Sequence, residues 1–334
     1  MALLKKALET APQVAVAIGS AFQARSPKNP FSWEERAGMI RAALSDTDRA
    51  RVVLVPVRDH VDDARWFAEV RERIDAALVA LGQAPSSAAS TVIVGHVKDP
   101  TREYLLHFDG WALQASARAP AAEAAAVRDA VFGMPPDAPG MLAGMLPKGT
   151  FDFVRSWMAG PRFDALAQEW ALLKQHDADW SVAPYPVVLV TVDCVVKCRG
   201  RVLVIRRGRA PGKGLAAMPG GFLELRETTL QSVLRELEEE THLDVPATDL
   251  LACLSGAEVF DRPDRSQRGR TITHGFFFDL GDRDPPQVRA DDDAQSVEWM
   301  PIEALCAFEE EFLDDHFQML DHFLGLLPRP VLGD

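Results

Sequence analysis

Three early stretches are apolar at consecutive positions: residues 14–18 (VAVAI), 52–57 (VVLVPV) and 91–95 (TVIVG). Short continuous apolar runs with turn residues beside them predict buried strands. Residues 3–10 and 65–81 instead read as helices. A further helix starts at Trp33, where Ser32 and Glu35 have the spacing of a capping box. Alternating strands and helices predict an α/β domain with a doubly wound parallel sheet. Such sheets bind ligands beyond the carboxyl ends of their strands. Gly19-Ser20 and the loop His96-Val97-Lys98-Asp99 fall there. An alanine- and proline-rich stretch follows (115–147), then a helix at 151–175 anchored by Trp157, Leu166 and Trp170. Trp180-Ser-Val-Ala-Pro184-Tyr185-Pro186 reads as an extended linker. From Val187 the pattern changes to strands, at 187–196, 201–206, 250–260, 271–280 and 296–300, with a helical region at 301–326. The first two strands flank Cys198-Arg199-Gly200 as a hairpin. The expected division is a domain at 1–150, a helical linker at 151–186 and a second domain at 187–334.

Chemistry concentrates in residues 220–243. Gly220-Gly221 leads into good helix formers without a proline. Glu236, Glu239 and Glu240 stand at i, i+3 and i+4, so their carboxylates share one helical face. Like charges this close repel unless something neutralises them. Hard oxygen ligands suit Mg²⁺ or Mn²⁺.

The spacing resembles the Nudix box, G-x5-E-x7-R-E-U-x-E-E-x-G-U with U aliphatic, through Gly221, Glu227, Arg235, Glu236, Leu237, Glu239, Glu240 and Leu243. His242 stands where the box has its last glycine, a helix end that favours a left-handed residue. The resemblance implies a C-terminal Nudix α/β/α sandwich with Glu236, Glu239 and Glu240 as metal ligands. It also implies an Arg235–Glu227 pair that orients them and a close backbone approach at Gly220 and Gly221. The catalytic base stays open between a box glutamate and the Asp291-Asp292-Asp293 loop.

Composition narrows the partners. A net charge of −13 over 334 residues argues against general binding to nucleic acid or anionic membranes. It leaves room for a nucleotide in a local basic pocket. Cys194, Cys198, Cys253 and Cys306 lack a paired metal-binding spacing and read as reduced packing residues. No apolar run reaches membrane-spanning length, so a cytoplasmic protein is expected. Self-association is left open.

The first domain resembles the adenylyltransferase half of bifunctional nicotinamide mononucleotide (NMN) adenylyltransferase/Nudix proteins. Gly19-Ser20, Arg25, Lys28-Asn29-Pro30-Phe31, Glu35-Arg36, Met39-Ile40, Gly95-His96-x-Lys98-Asp99 and Tyr104-Leu105 carry the likeness. That family has an H-x-G-H strand before its first helix, whereas this sequence starts inside that helix. The family's I-S-x-T-x-I-R motif survives only as Arg128 within residues 122–128. A truncated, degenerate domain without transferase activity is the expectation.

The stretch from Val259 to Thr271 resembles the R-D-P-R-G-R-T segment of ADP-ribose-hydrolysing Nudix proteins. Arg265, Arg268 and Arg270 are therefore expected to grip substrate oxygens. Together these likenesses imply a Mg²⁺-dependent pyrophosphohydrolase that cleaves ADP-ribose to AMP and ribose 5-phosphate. The rival readings are a working bifunctional enzyme of NAD metabolism, a hydrolase of another nucleotide, and a non-catalytic ADP-ribose sensor.

Overall fold

The computed structural model describes residues 2–95, 108, 110–116, 124–133 and 140–328. Two compact units divide the chain. One contains the residues up to Phe22 and Phe31–Asp164, the other Gln23–Pro30 and Ala165–Arg329.

The first unit begins with α1 (Ala2–Thr10), β1 (Val14–Ile18), α2 (Trp33–Ala42), α3 (Asp46–Arg49), β2 (Val52–Pro56) and α4 (Asp63–Ala80). It continues with β3 (Val92–Gly95), β4 (Ala112–Ala115), α5 (Ala124–Gly133), α6 (Gly140–Met145) and α7 (Lys148–Met158). β1 and β2 pair in parallel from Val14↔Val52 to Ile18↔Pro56. Side chains alternate across a strand, so the pair offers two apolar faces. Val16, Ile18, Val52 and Leu54 pack with Ala37, Trp33 and Ile40 of α2. Ala15, Val53, Val55 and the following Val57 pack with Trp66, Phe67, Val70 and Ile74 of α4. Helices on both faces of parallel strands make the doubly wound arrangement, and a second parallel pair joins β3 to β4. The Ser32–Glu35 capping box is present at α2. Beyond β1, Ser20 Oγ donates to Asp59 Oδ2 at 2.6 Å, and Arg36 donates to the carbonyls of Gly19 (2.8 Å) and Ser20 (2.9 Å). His96, Val97, Lys98, Asp99, Tyr104, Leu105 and the start of the eroded motif at 122 and 123 lie outside the described residues.

No separate linker occupies 151–186. Gly160 and Pro161 divide that region into α7 and α8 (Pro161–Trp180), because proline suits a first helical turn and not an interior. The unit boundary falls inside α8, at 164/165. On the near side, Trp157 packs on Phe31 at 4.9 Å and Phe163 stacks on Phe132 at 5.9 Å. On the far side, Glu169 Oε1 accepts from Gly212 N at 2.9 Å. Aromatic anchors and this hydrogen bond use up the helix that the sequence left as a spacer. Gln23–Pro30, expected within 1–150, belongs to the second unit, where Lys28 N donates to Gln267 Oε1 at 3.2 Å.

The second unit carries β5 (Leu189–Cys198), β6 (Arg201–Arg207), β7 (Ala216–Ala217), β8 (Gly220–Phe222) and α9 (Thr229–Thr241). After these come α10 (Ala247–Ala252), β9 (Leu254–Phe260), β10 (Thr271–Asp279), β11 (Ala294–Pro301), a 3-10 helix (Ile302–Glu311) and α11 (His316–Leu324). The sheet runs β11-β6-β5-β10-β9, with β7 on β6 and β8 on β5. β10 lies parallel to β5 and the other pairs are antiparallel. Val192, Cys194, Val196 and Cys198 project every second residue into one core, against Val233 and Leu237 of α9. None of the four cysteines is in a disulfide. Val233 and Leu237 are fully buried, each stabilising the helix–sheet contact by roughly 1.5–3 kcal/mol. Residues 250–260 are not one strand: Pro246 starts α10, which ends before β9. Among the described residues no helix is long and apolar enough to cross a membrane.

Candidate active site

α9 is set at both ends. Thr228 Oγ1 accepts from Gln231 N, and Gln231 Oε1 accepts from Thr228 N at 2.9 Å. This reciprocal cap satisfies two free donors of the first turn. At the other end His242 takes the left-handed conformation (φ 40°, ψ 47°) that the box reserves for glycine. Its Nε2 lies 2.8 Å from Asp291 Oδ2. A left-handed residue other than glycine costs roughly 1–2 kcal/mol.

The helix stripe that carries Val233 and Leu237 fixes where the glutamates point. Arg235 Nε donates to Glu227 at 3.0 and 3.1 Å. Its Nη1 donates to Glu236 Oε1 at 2.9 Å and to Glu239 Oε2 at 2.7 Å. Burial would lower the Arg235 pKa, but the bonds to Glu239, Glu227 and Glu236 outweigh it and raise it. Glu240, almost fully buried, accepts from Gly220 N at 2.9 Å. Burial pushes its pKa up to about 8, opposed by the Gly220 bond and helped by the Glu236 charge. Burial raises Glu236 as well, against the pull of Arg235. A Cβ on Gly221 would stand 2.5–2.6 Å from the Glu236 carboxylate, so that backbone must be bare.

These groups line a cavity of about 500 Å³, with Gly220, Gly221, Asp292 and Asp293 beside them. Arg207, Arg265 and Arg268 line it too, as do Asp193, Asp314, Asp315 and His316. The arginines differ in what they have left to offer. Arg265 is spent on the protein: it donates to Asp315 at 2.9 and 2.7 Å, to Thr273 Oγ1, and to Met319 Sδ at 3.1 Å. Arg268 lies over the Phe222 ring at 4.9 Å, and its guanidinium donates to no described residue. Burial lowers its pKa, and the Arg207 charge adds to the effect. Arg207 uses Nε on Pro211 O at 3.1 Å and keeps both Nη groups. Arg270 is not brought to the cavity; its guanidinium donates to the carbonyl of Asp261.

Arg207, Asp193 and His316 were not anticipated as site residues. Arg206 and Arg207 are adjacent in sequence, yet Arg206 leaves for Glu311 (2.7 Å) while Arg207 faces the cavity. Strand alternation says that only one can face in, but not which. Asp193, buried in β5, is pushed up to about 7 by burial, with Arg265 opposing. A lone acid within an apolar strand was the available signal.

Fit to a divalent cation rests on the donors present. Glu227, Glu236 and Glu239 share the single charge of Arg235, Glu240 lines the cavity with them, and the atoms they offer are all hard oxygens. Among the described residues no three acidic, histidine or cysteine side chains close around one point as they stand. Arg235 Nη1 lies between the Glu236 and Glu239 carboxylates. Glu239 is the most exposed of the three.

Comparison with known proteins agrees with this geometry. A sequence profile of the NUDIX domain matches residues 188–323. The ADP-ribose pyrophosphatase of Methanocaldococcus jannaschii is 36% identical over 124 residues, covering 36% of this chain and 68% of that protein. The nicotinamide/nicotinic acid mononucleotide adenylyltransferase of Acinetobacter baylyi is 28% identical over 165 residues, 49% of this chain and 81% of that one. A crystal structure of a bifunctional NMN adenylyltransferase/ADP ribose pyrophosphatase from Francisella tularensis, complexed with AMP and Mn ion, has a TM-score of 0.85. It is 29% identical and covers 97% of this chain and 94% of its own. With its glutamate helix set against a sheet of the matching topology, the chain belongs to the Nudix family, as a Nudix hydrolase that also carries a nucleotidyltransferase-like domain.

Proposed function

We propose that the chain hydrolyses the diphosphate of ADP-ribose to AMP and ribose 5-phosphate, with Mg²⁺ held by Glu236, Glu239 and Glu240. One observation carries the reading: a single cavity is lined by these glutamates together with Arg207, which keeps both Nη groups, and Arg268, whose guanidinium is unspent. The relative from Methanocaldococcus jannaschii, an ADP-ribose pyrophosphatase, supports the substrate. Nudix hydrolases use divalent metals, and the Francisella tularensis structure contains a Mn ion. When bound, such an ion polarises phosphorus and lowers the pKa of a water. Arg207 and Arg268 bind diphosphate oxygens by charge-assisted hydrogen bonds. Arg235 orients Glu236 and Glu239, with Glu227 steadying it. Gly220 N holds Glu240 in place, and bare Gly221 leaves room for the Glu236 carboxylate. Arg265 acts as a brace that fixes Asp315 rather than as a substrate ligand. Of the aspartate loop, Asp292 and Asp293 line the cavity, while Asp291 is paired with His242.

The test is a substrate panel with Mg²⁺ and with EDTA, containing ADP-ribose, NADH and nucleoside triphosphates, with products separated by chromatography. AMP and ribose 5-phosphate from ADP-ribose, abolished by EDTA, are expected. Turnover of another nucleotide with none of ADP-ribose would overturn the substrate assignment.

For the first unit we infer mononucleotide binding without transfer. Gly19-Ser20 is braced by Arg36 and Asp59 at the carboxyl end of β1, where such sheets take ligands. Ala124-Ala125-Ala126-Val127 at the start of α5 supplies no side-chain donors for a triphosphate. NMN binding by calorimetry with no NAD formed from NMN and ATP is the expected result. Sustained NAD synthesis would refute it.

A further inference from the structure

Two buried polar side chains in the cavity stand apart from the box helix. Asp193, within β5, and His316, the first residue of α11, are each 7% exposed. Residues 218–220 tie them together: Met218 N donates to His316 Nδ1 at 3.1 Å, and Gly220 sits opposite Asp193 in the β5–β8 ladder. A Cβ on Gly220 would stand 2.5 Å from Asp193 Oδ1, so the carboxylate lies directly against that turn.

The Met218 bond decides the state of His316. An imidazole accepting at Nδ1 carries its proton on Nε2, which makes His316 a neutral donor with a fixed direction. Burial, with the charges of Arg265, Arg207 and Arg268, holds its pKa well below the ordinary value, so a second proton is disfavoured. Nε2 donates to no described residue, and the Asp193 carboxylate accepts from none. Three of their neighbours are already committed, while Arg207 and Arg268 act on the pair as charges without a hydrogen bond to either. Thr191 and Thr273 bond each other at 2.5 Å, and Arg265 is spent on Asp315, Thr273 and Met319. Buried polar groups are almost always hydrogen-bonded. A lone acceptor and a lone donor that open onto a cavity are satisfied by what the cavity receives.

We propose that Asp193 and His316 form a subsite for a hydroxyl-bearing group, a sugar, attached to the diphosphate of the substrate. Asp193 accepts from one hydroxyl, and His316 Nε2 donates to a hydroxyl oxygen. The assignment rests on the diphosphate-hydrolase reading above and names what lies at one end of that diphosphate. A phosphate does not fit the pair once Asp193 is ionised, because its oxygens are acceptors and would face the Asp193 carboxylate. A purine edge does offer a donor beside an acceptor, but a base also needs a flat surface to stack on. Beside Asp193 and His316 the cavity is lined by Thr191, Arg207, Arg265, Arg268 and Asp315 with Met218 and Leu313, none of which is aromatic. The phenyl ring in this lining is Phe222, 41% exposed with Arg268 over its ring.

The experiment uses the full chain and two near-isosteric variants. Asp193→Asn keeps the shape and removes the charge and one acceptor. His316→Asn keeps an acceptor for Met218 N and removes the cavity donor. Each is assayed with Mg²⁺ on ADP-ribose, on adenosine 5′-diphosphate methyl ester, which has no sugar at the far phosphate, and on IDP-ribose, which alters only the base. Thermal melts confirm folding. The kcat/KM ratio of ADP-ribose to methyl ester is expected to fall about tenfold or more in each variant, as when a hydrogen-bonded substrate hydroxyl loses its partner. IDP-ribose should track ADP-ribose. An unchanged ratio in both variants overturns the subsite, as does a loss that disappears with IDP-ribose, which would put the base there. Wild-type protein that turns over none of the three sinks the hydrolase reading instead. Calorimetric affinities for ADP-ribose and the methyl ester then decide the subsite: a falling affinity ratio in the variants supports it and an unchanged one refutes it.

Discussion

Gly221→Ala isolates the positioning of one carboxylate. The added Cβ would sit 2.5 Å from the Glu236 Cδ and Oε1 and 2.6 Å from Oε2. Ordinary carbon contacts lie near 3.5 Å, so the carboxylate must retreat by about 1 Å. That retreat strains the 2.9 Å bond from Arg235 Nη1 to Glu236 Oε1. A misplacement of about 1 Å costs on the order of a hundredfold in rate, or about 2.7 kcal/mol of activation free energy. The obstacle is the end of a side chain, so the fold should survive. Gly220→Ala is the control with the opposite outcome. There the Cβ would meet the Val192 carbonyl oxygen at 2.2 Å and Asp193 Cα at 2.8 Å. Both belong to the backbone of β5, which cannot move aside, so the β5–β8 pairing must open and the melting temperature should drop. Neither glycine has a positive φ, so space rather than backbone strain is tested. Initial rates of ADP-ribose hydrolysis at saturating Mg²⁺, run beside thermal melts, separate the two effects. A folded Gly221→Ala protein with kcat near that of wild type would refute the close-approach argument.

Glu239→Gln and Glu240→Gln should each lower kcat by at least about a hundredfold with the fold retained, since each removes a metal-facing carboxylate; near-normal turnover in both would move the active site elsewhere. Arg268→Ala should raise KM for ADP-ribose, each charge-assisted contact being worth about 1.5–3 kcal/mol. Arg265→Ala should chiefly lower the melting temperature. Its guanidinium is 5% exposed and paired with Asp315, and breaking a buried pair costs about 3–5 kcal/mol. A melting temperature unaffected by Arg265→Ala would return Arg265 to the substrate. Asp193 titrates near about 7 in the fold, above the ordinary 3.8, because of its burial. The folded state then holds that proton more tightly, so its contribution is full at low pH and is lost as pH rises from about 4 to about 7. Melting temperature should fall over that window more steeply in wild type than in Asp193→Asn, and parallel curves would contradict the sign.

The sequence was most legible where spacing leaves one geometric outcome. Glu236, Glu239 and Glu240 share a face because a helix admits nothing else at i, i+3 and i+4. The alternate residues of β5 share the core for the same kind of reason. Long-range choices were not legible. Arg265, Arg268 and Arg270 look equivalent in one arginine-rich turn, yet they end on Asp315, in the cavity and on Asp261 respectively. Nothing local distinguishes them, because the partner of Arg265 lies 50 residues away. Asp193 and His316 carry no motif and become neighbours of one turn only through the β5–β8 ladder and the start of α11. The linker was misjudged for a related reason. Proline and aromatic residues around 157–163 mark a helix break and its packing partners, not a spacer.

Charge is partitioned within the site, and this explains how a chain with a net charge of −13 can hold an anionic substrate. On the α9 side, Glu227, Glu236 and Glu239 share the single charge of Arg235, and Glu240 accepts from Gly220 N. Burial already drives Glu240 to about 8. That wall is stabilised by added positive charge. On the arginine side, burial and the neighbouring Arg207 charge lower the pKa of Arg268, and Arg268 has no carboxylate bonded to it. That wall is stabilised by added negative charge. A cation alone would relieve one wall and an anion alone the other. A diphosphate carrying a divalent ion relieves both at once, and in a partly dry cavity the gain is larger than in water.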